Sequence, residues 1–389
     1  MIDVRCSSCG SAKAREFFVQ TAMPVHVCQL WPSSDAARAC PRGDIHLAYC
    51  EGCGFIANRA FRPALVAYAE NYENSLHFSE FFQGYIREYA QDLIERYQLR
   101  DKLIVEIGCG DGEFLRLLCR LGGNRGVGFD PSHEPAENDA DRDPRVTIIP
   151  EYYSPKRLDT PADLIVCRQV FEHLPNPREF LEDLRARVDG HRDTVLEFEV
   201  PNASYTLDTG SLWDVIYEHC SYFSRESLRN IFSLCGFEVL QVSTTYENQF
   251  LSVGARPGRK ADAPVGEGLK AMAEEVRRFG ATCPRRVTAW RERLQTMKVR
   301  GRRVALWGAG ARGVSFLNMV GVMEEVGEVV DINPRKHGAY LPGTGHRVSP
   351  PQALKDFGPD LVIIMNPLYK PEIGSSLRAM GLSPEVCVA

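Results

Sequence analysis

The chain has 389 residues, 44% of them hydrophobic and 25% charged, and a formal net charge of -5. This is the make-up of an ordinary globular protein. The acidic balance excludes a general attraction to nucleic acid or anionic lipid, and no apolar run approaches the roughly 20 residues that span a bilayer.

The length predicts two or three domains. The opening Met1-Ile2-Asp3-Val4-Arg5-Cys6 lacks a basic stretch followed by an apolar one, which predicts a cytoplasmic protein. Its 13 cysteines are then reduced thiols or metal ligands. Residues 1–72 form the first predicted unit, with little regular periodicity up to about residue 60. Cys6-Ser-Ser-Cys9 and Cys50-Glu-Gly-Cys53 are two C-x-x-C knuckles, each followed by glycine (Gly10, Gly54). Four thiolates fill a tetrahedral zinc site and leave no position for water, so the metal is predicted to be structural. Cys28 and Cys40 lie between the knuckles as alternative ligands.

Residues 73–255 are predicted to be a central α/β domain. Phe78, Phe81, Phe82, Tyr85, Ile86, Tyr89, Leu93 and Ile94 recur at helical spacing. Strand-like runs at Leu103–Ile107, Val127–Asp130, Leu164–Val166 and Val195–Val200 then alternate with helical stretches, the pattern of a parallel sheet. The first run, Leu103-Ile-Val-Glu-Ile-Gly-Cys-Gly-Asp-Gly112, leads into a helix. Glycines there tolerate positive φ and let backbone approach a ligand. With an acid on the strand itself, E-x-G-x-G-x-G differs from the dinucleotide turn G-x-G-x-x-G and resembles motif I of class I methyltransferases. A Rossmann-like fold and S-adenosylmethionine as methyl donor are what that resemblance implies. Glu106 would orient the cofactor's methionine part, and Gly108, Cys109, Gly110 and Gly112 would cradle it. Asp130, followed by Pro131, closes the next strand and suits two ribose hydroxyls. The segment Ala162–Pro175 matches the family's next recurring element, placing Arg168, Gln169 and His173 near cofactor or acceptor.

Trp213-Asp-Val-Ile-Tyr-Glu-His-Cys-Ser-Tyr-Phe-Ser224 gathers polar aromatic and ionisable groups before a helix that Ser224 caps. Methylating carbon requires removal of a poorly acidic proton. His219 fits a base, Glu218 its orienting partner, and Tyr217 or Tyr222 a donor to a developing enolate. The alternative is structural, with His219 at a helix start and the tyrosines packed.

Residues 256–300 read as a linker with amphipathic helices, and 301–389 as a second Rossmann-like domain with strands at Arg303–Trp307, Val326–Asp331 and Leu361–Met365. Val304-Ala-Leu-Trp-Gly-Ala-Gly-Ala-Arg-Gly313 carries G-x-G-x-x-G, which alone would suggest nicotinamide. The order of knuckles, glycine turn, Glu-His-x-Ser-Tyr-Phe-Ser segment and final α/β domain resembles the three-domain sugar C-methyltransferases of antibiotic deoxysugar pathways. That resemblance implies methylation at C3 of a nucleotide-linked 4-keto-6-deoxysugar, with His219 as base, Glu218 as its partner and the last domain on the substrate. Asn202, Asn248, Gln249, Arg312, Asn318 and Tyr369 are the implied acceptor contacts. Three departures stand out: Ile216 where the family has tyrosine, Glu247-Asn-Gln-Phe-Leu-Ser252 for His-Gly-Gly-Ser-Leu-Arg, and Pro367-Leu-Tyr-Lys370 for Trp-Asn-Tyr-Lys. O- or N-methylation of a related small molecule, and a cofactor-binding zinc scaffold, therefore stay open beside C-methylation. The expected partner is a small molecule, a nucleotide sugar first, with the chain a monomer or homodimer.

Overall fold

The computed structural model describes residues 5–66, 72–133, 143–153 and 161–389, whose strands form sheets of four, seven and five strands. The seven-stranded sheet runs in the order Phe237–Thr245, Phe250–Pro257, Val195–Pro201, Leu164–Arg168, Leu103–Ile107, Arg125–Phe129, Val146–Ile149. The Phe250–Pro257 strand runs antiparallel to both its neighbours, and every pairing beyond it is parallel. The central strands are nearly all apolar because helices cover both faces. Ile104, Leu164 and Val166 face the Glu80–Arg96 and Glu113–Gly122 helices, while Val105, Ile107 and Phe198 face the other way, toward Phe171 and Phe232. The Glu80–Arg96 helix starts at Ser79, whose side chain accepts from the Phe82 amide. It buries Phe82, Ile86, Tyr89, Ala90, Leu93 and Ile94, the stripe the spacing predicts.

Strand order reverses between Leu103–Ile107 and Leu164–Arg168, and ligands of such sheets sit at the carboxyl ends beside that point. The five-stranded parallel sheet repeats the device: Val304–Trp307 and Leu361–Ile364 flank its reversal, and the Gly308–Gly313 turn leaves from there.

The first segment is more regular than its sequence suggests. Ala14–Pro24 pairs antiparallel with Arg42–Cys50, followed by Ile56–Asn58. Register shifts between Glu16 and Phe18 and between Gln20 and Met23 break the period-2 alternation, which hides these strands from a pattern reading. The sheet's fourth strand is Ser221–Tyr222, from far along the chain. The predicted linker also differs: Leu269–Val299 is one 31-residue helix, with Pro284 inside it. Phe279 meets Phe17 and Phe18, and one buried cluster takes in Phe18, Ile45, Leu212, Tyr217, Phe279, Phe316 and Ile363. The predicted segments thus share a core.

Candidate active site

The glycine turn is shaped by what cannot be there. Gly108 and Gly112 have φ of +69° and +75°, and a Cβ would lie 2.2 Å from Val170 Cγ2 or 2.5 Å from Ile148 Cδ1. Gly110 has φ of +53°, but a Cβ there would meet nothing within 4 Å. Space is therefore kept open in front of Gly110. Cys109 is buried, its sulfur packed where Gly128 lacks a side chain. Asp130 Oδ2 accepts from the Gly110 amide at 2.8 Å, and Oδ1 accepts from the amide (2.9 Å) and hydroxyl (2.6 Å) of Ser132, across the turn through Pro131. A carboxylate has about four lone-pair sites; three are taken here, so one remains for a ribose hydroxyl, and a second hydroxyl would have to displace Ser132.

Glu106 is 3% exposed, and its Oε2 has no partner. Burial pushes its pKa up to about 8, against the opposing pull of Arg168. An orphaned acceptor on the strand that enters the turn fits a cofactor ammonium. Arg168 Nη2 donates to Glu199 Oε1 at 3.0 Å and its guanidinium lies 4.2 Å from the Phe114 ring centroid, while its Nε stays buried and unpartnered. Gln169, at φ +55°, donates to the same Glu199 oxygen at 3.2 Å. Left-handed backbone in a residue with a Cβ costs about 1–3 kcal/mol and marks a built corner. Glu199 and Glu197 also hold Tyr85 and Tyr89 of the Glu80–Arg96 helix and Tyr97, which caps its end. The sequence reading missed this carboxylate row, although Glu-Phe-Glu in an otherwise apolar strand was its signal.

Val170, packed on Gly108, opens the short turn Phe171–His173. His173 Nδ1 lies 3.1 Å from the Glu218 carbonyl, and its ring stands edge-on to His219 at 4.9 Å. Burial lowers the pKa of both imidazoles, His219 well below the usual histidine range. His219 makes ring contacts with His173 and Tyr222 but no hydrogen bond among the described residues.

The other groups assigned to this corner lie elsewhere. A turn at Tyr217–Glu218 aims successive side chains apart. Glu218 is not directed at His219; its Oε2 accepts from the Val27 amide at 2.9 Å and its Oε1 lies 3.3 Å from His26 Nδ1. Tyr217 sits in the core, accepting from the Arg62 amide at 2.9 Å, with its ring against Phe61 and over Gly43. Tyr222 donates to the Ile216 carbonyl at 3.1 Å and accepts from the Ile216 amide at 3.3 Å, so its hydroxyl is committed to backbone. The missed group is Glu172, 2% exposed and with an unpartnered Oε2. An acid in an apolar turn directly before His173 was the available signal.

Three predicted acceptor residues converge where the second glycine turn meets the central α/β domain. Arg312 forms a two-pronged pair with Asp214 and donates to Gln249 Oε1 at 2.9 Å. Gln249 and Asn366 exchange amide hydrogen bonds at 3.0 Å each, and Tyr246 and Tyr369 hydroxyls meet at 2.6 Å. Tyr246, Glu247 and Asn248 are all left-handed, at φ 47°, 51° and 67°. The Gln249–Asn366 and Tyr246–Tyr369 contacts each join one of the two segments Glu247–Ser252 and Pro367–Lys370 to the residue just before the other. Asn202 and Asn318 are turned to backbone. Asn202 caps the Ala203–Thr209 helix and donates to the Asn248 carbonyl, and Asn318 donates to Val314 and Pro342 carbonyls, so both brace backbone. Asp331 accepts from the Ala309 amide at 2.7 Å beside buried Lys336, tied into its own turn.

Cys6, Cys9, Cys50 and Cys53 place their sulfurs within 4.8 Å of one another, with Cys6–Cys53 and Cys9–Cys50 at 3.7 Å. A tetrahedron of zinc–sulfur bonds of about 2.3 Å has edges of about 3.8 Å, so the donor set fits. The crowded thiols are pushed apart, Cys50 downward by hydrogen bonds from Cys53, Cys6 and Cys9, and Cys53 upward by Cys50.

An open glycine turn at a sheet's reversal point, an orphaned acid on its strand and a second acid closing the next define the class. The chain is an S-adenosylmethionine-dependent methyltransferase on a class I, Rossmann-like α/β fold. Residues 82–242 match the family model described as a methyltransferase domain, and 267–382 that described as a C-methyltransferase C-terminal domain. Over 309 residues, 74% of this chain and 72% of the relative, it is 29% identical to the C-methyltransferase NovU of Streptomyces niveus. It is also 33% identical over 108 residues, 26% of the chain and 39% of the relative, to the mitochondrial ubiquinone biosynthesis O-methyltransferase of Schizosaccharomyces pombe.

Proposed function

We propose that this enzyme methylates the carbon next to a ketone in a nucleotide-activated keto-sugar, with His219 removing the proton. The observation that carries the reading is His219 itself: a half-buried imidazole with no hydrogen-bond partner among the described residues, in a cluster joined through Val170 to the cofactor turn. Burial keeps it neutral and its lone pair available. The final domain, similar to that of C-methyltransferases, supports carbon as the acceptor. Bound S-adenosylmethionine supplies an electrophilic methyl group; Glu106 holds its ammonium and Asp130 its ribose. Gln169, strained at the strand end, lines the methyl side, and Arg168 fixes Glu199 behind it. Arg312, Gln249 and Tyr369 face the sugar, with the Gly308–Gly313 turn toward its phosphates. The cysteine tetrad holds a structural zinc.

The test is mass spectrometry of product from a panel of nucleotide keto-sugars, with proton exchange followed in deuterated water without methyl donor. One acceptor should gain a methylene on carbon and exchange the proton at that carbon. A methyl found on oxygen or nitrogen, with no exchange, would sink the reading.

A further inference from the structure

We infer that Glu172 is the positioning carboxylate of His219, the role the sequence pattern suggests for Glu218. The inference rests on the reading of His219 as the base. The hydrogen-bonding atoms of Glu172, His173 and His219 all lie within 4.8 Å of one another. Glu218 is engaged with His26 and the Val27 amide, so it offers His219 nothing. His173 is fixed: a carbonyl can only accept, so the contact with Glu218 O puts the proton on Nδ1 and leaves a lone pair on Nε2. His173 therefore presents a second acceptor beside His219 and cannot balance a positive charge there.

Glu172 can. Its Oε2 is buried without a partner, a costly condition for an ionised carboxylate unless a cation arrives. Proton removal creates that cation. The acceptor C–H bond breaks, its proton goes to a ring nitrogen of His219, and its electron pair forms the enolate. The enolate then makes the new C–C bond as the sulfonium C–S bond breaks and leaves a neutral thioether. The imidazolium is held against Glu172 until its proton passes to water.

His173 and His219 lie beside the Glu172 carboxyl group, and the thiols of Cys167 and Cys220 and the Glu199 carboxylate act on it electrostatically. None is a fixed cation. Burial pushes Glu172 up to about 8, so its ionised form gains ground as pH rises through that value and proton removal accelerates with it.

The experiment measures deuterium exchange at the acceptor carbon and methyl transfer in the full-length wild type, Glu172→Gln, His219→Asn and the double variant, using the keto-sugar the wild type accepts. Glu172→Gln should slow both by about 100-fold, abolish the rise near pH 8, and leave cofactor Kd and acceptor KM within about twofold. It should add nothing in the His219→Asn background, because it acts through His219. Glu172→Asp, which keeps a carboxyl group, should retain the pH-dependent rise and serves if the glutamine variant fails to bind cofactor. Wild-type exchange in Glu172→Gln, an equal penalty in both backgrounds, or activity restored to chelator-treated, zinc-retaining enzyme by a divalent cation at this cluster would overturn the inference. Wild-type exchange in His219→Asn would instead overturn the base reading itself.

Discussion

Gly108 and Gly110 sit two residues apart in one turn, yet alanine should harm them in different ways. At Gly108 (φ +69°) the new Cβ falls 2.2 Å from Val170 Cγ2. Left-handed backbone costs about 1–2 kcal/mol for a residue with a Cβ, and overpacking a buried contact adds about 1–3 kcal/mol. Gly108→Ala should therefore lose about 2–5 kcal/mol of stability. At Gly110 (φ +53°) no atom lies within 4 Å, so only the backbone cost, about 1–2 kcal/mol, applies. The open space matters only when the cofactor fills it. Calorimetric melting without ligand should show the larger loss for Gly108→Ala. Titration with S-adenosylmethionine should show Gly110→Ala weakened at least about tenfold, or about 1.4 kcal/mol. If Gly110→Ala bound the cofactor like wild type, the cofactor would not approach the backbone there, and the cradle argument would fail.

The cysteine tetrad predicts about one zinc equivalent per chain, released in a colorimetric assay by thiol modification. Cys9→Ser should abolish the release and lower the melting temperature, and should also loosen the His219 corner, since the Cys53 carbonyl accepts from Asn230 and the tetrad packs in the same core as Phe223. A zinc-free variant that melts like wild type would refute it. For Glu106, whose folded pKa is raised to about 8, the native state keeps a proton between the usual carboxylate pKa and that value, so ionisation destabilises the fold as pH rises. A bound ammonium favours the carboxylate, so cofactor binding should release more protons near pH 7 in wild type than in Glu106→Gln. Calorimetry in buffers of different ionisation enthalpy reads the difference; equal release would remove Glu106 from the site.

What could be read from the sequence was what neighbours along the chain decide. Glycines alternating after an apolar strand, Asp130 at the next strand's end, paired cysteines and the cap at Ser224 are all local patterns, and the structure displays each. The partner of Glu218 is 192 residues away and that of Tyr217 is 155 away. No spacing rule reaches that far. A carboxylate beside a histidine in sequence reads as its partner, but the turn at Tyr217–Glu218 sends Glu218 to His26 and Val27, and the carboxyl group clustered with His219 is Glu172, from the turn after the Leu164–Arg168 strand. The Gln249–Asn366 pair was hidden for the same reason, although each residue lay in or beside a segment already marked as departing from the family.

The Ser221–Tyr222 strand has a consequence for how the molecule is made. It completes a sheet whose other strands come from the first 58 residues. On the ribosome those strands emerge early and wait for more than 160 further residues before their edge is covered. An exposed edge over that interval invites pairing with another chain. Zinc capture by the knuckles, which needs only the first 53 residues, would give the waiting sheet a fixed end. The same late strand means that a chain cut short before residue 221 leaves the sheet open, and one beginning after residue 58 leaves the histidine corner without its wall.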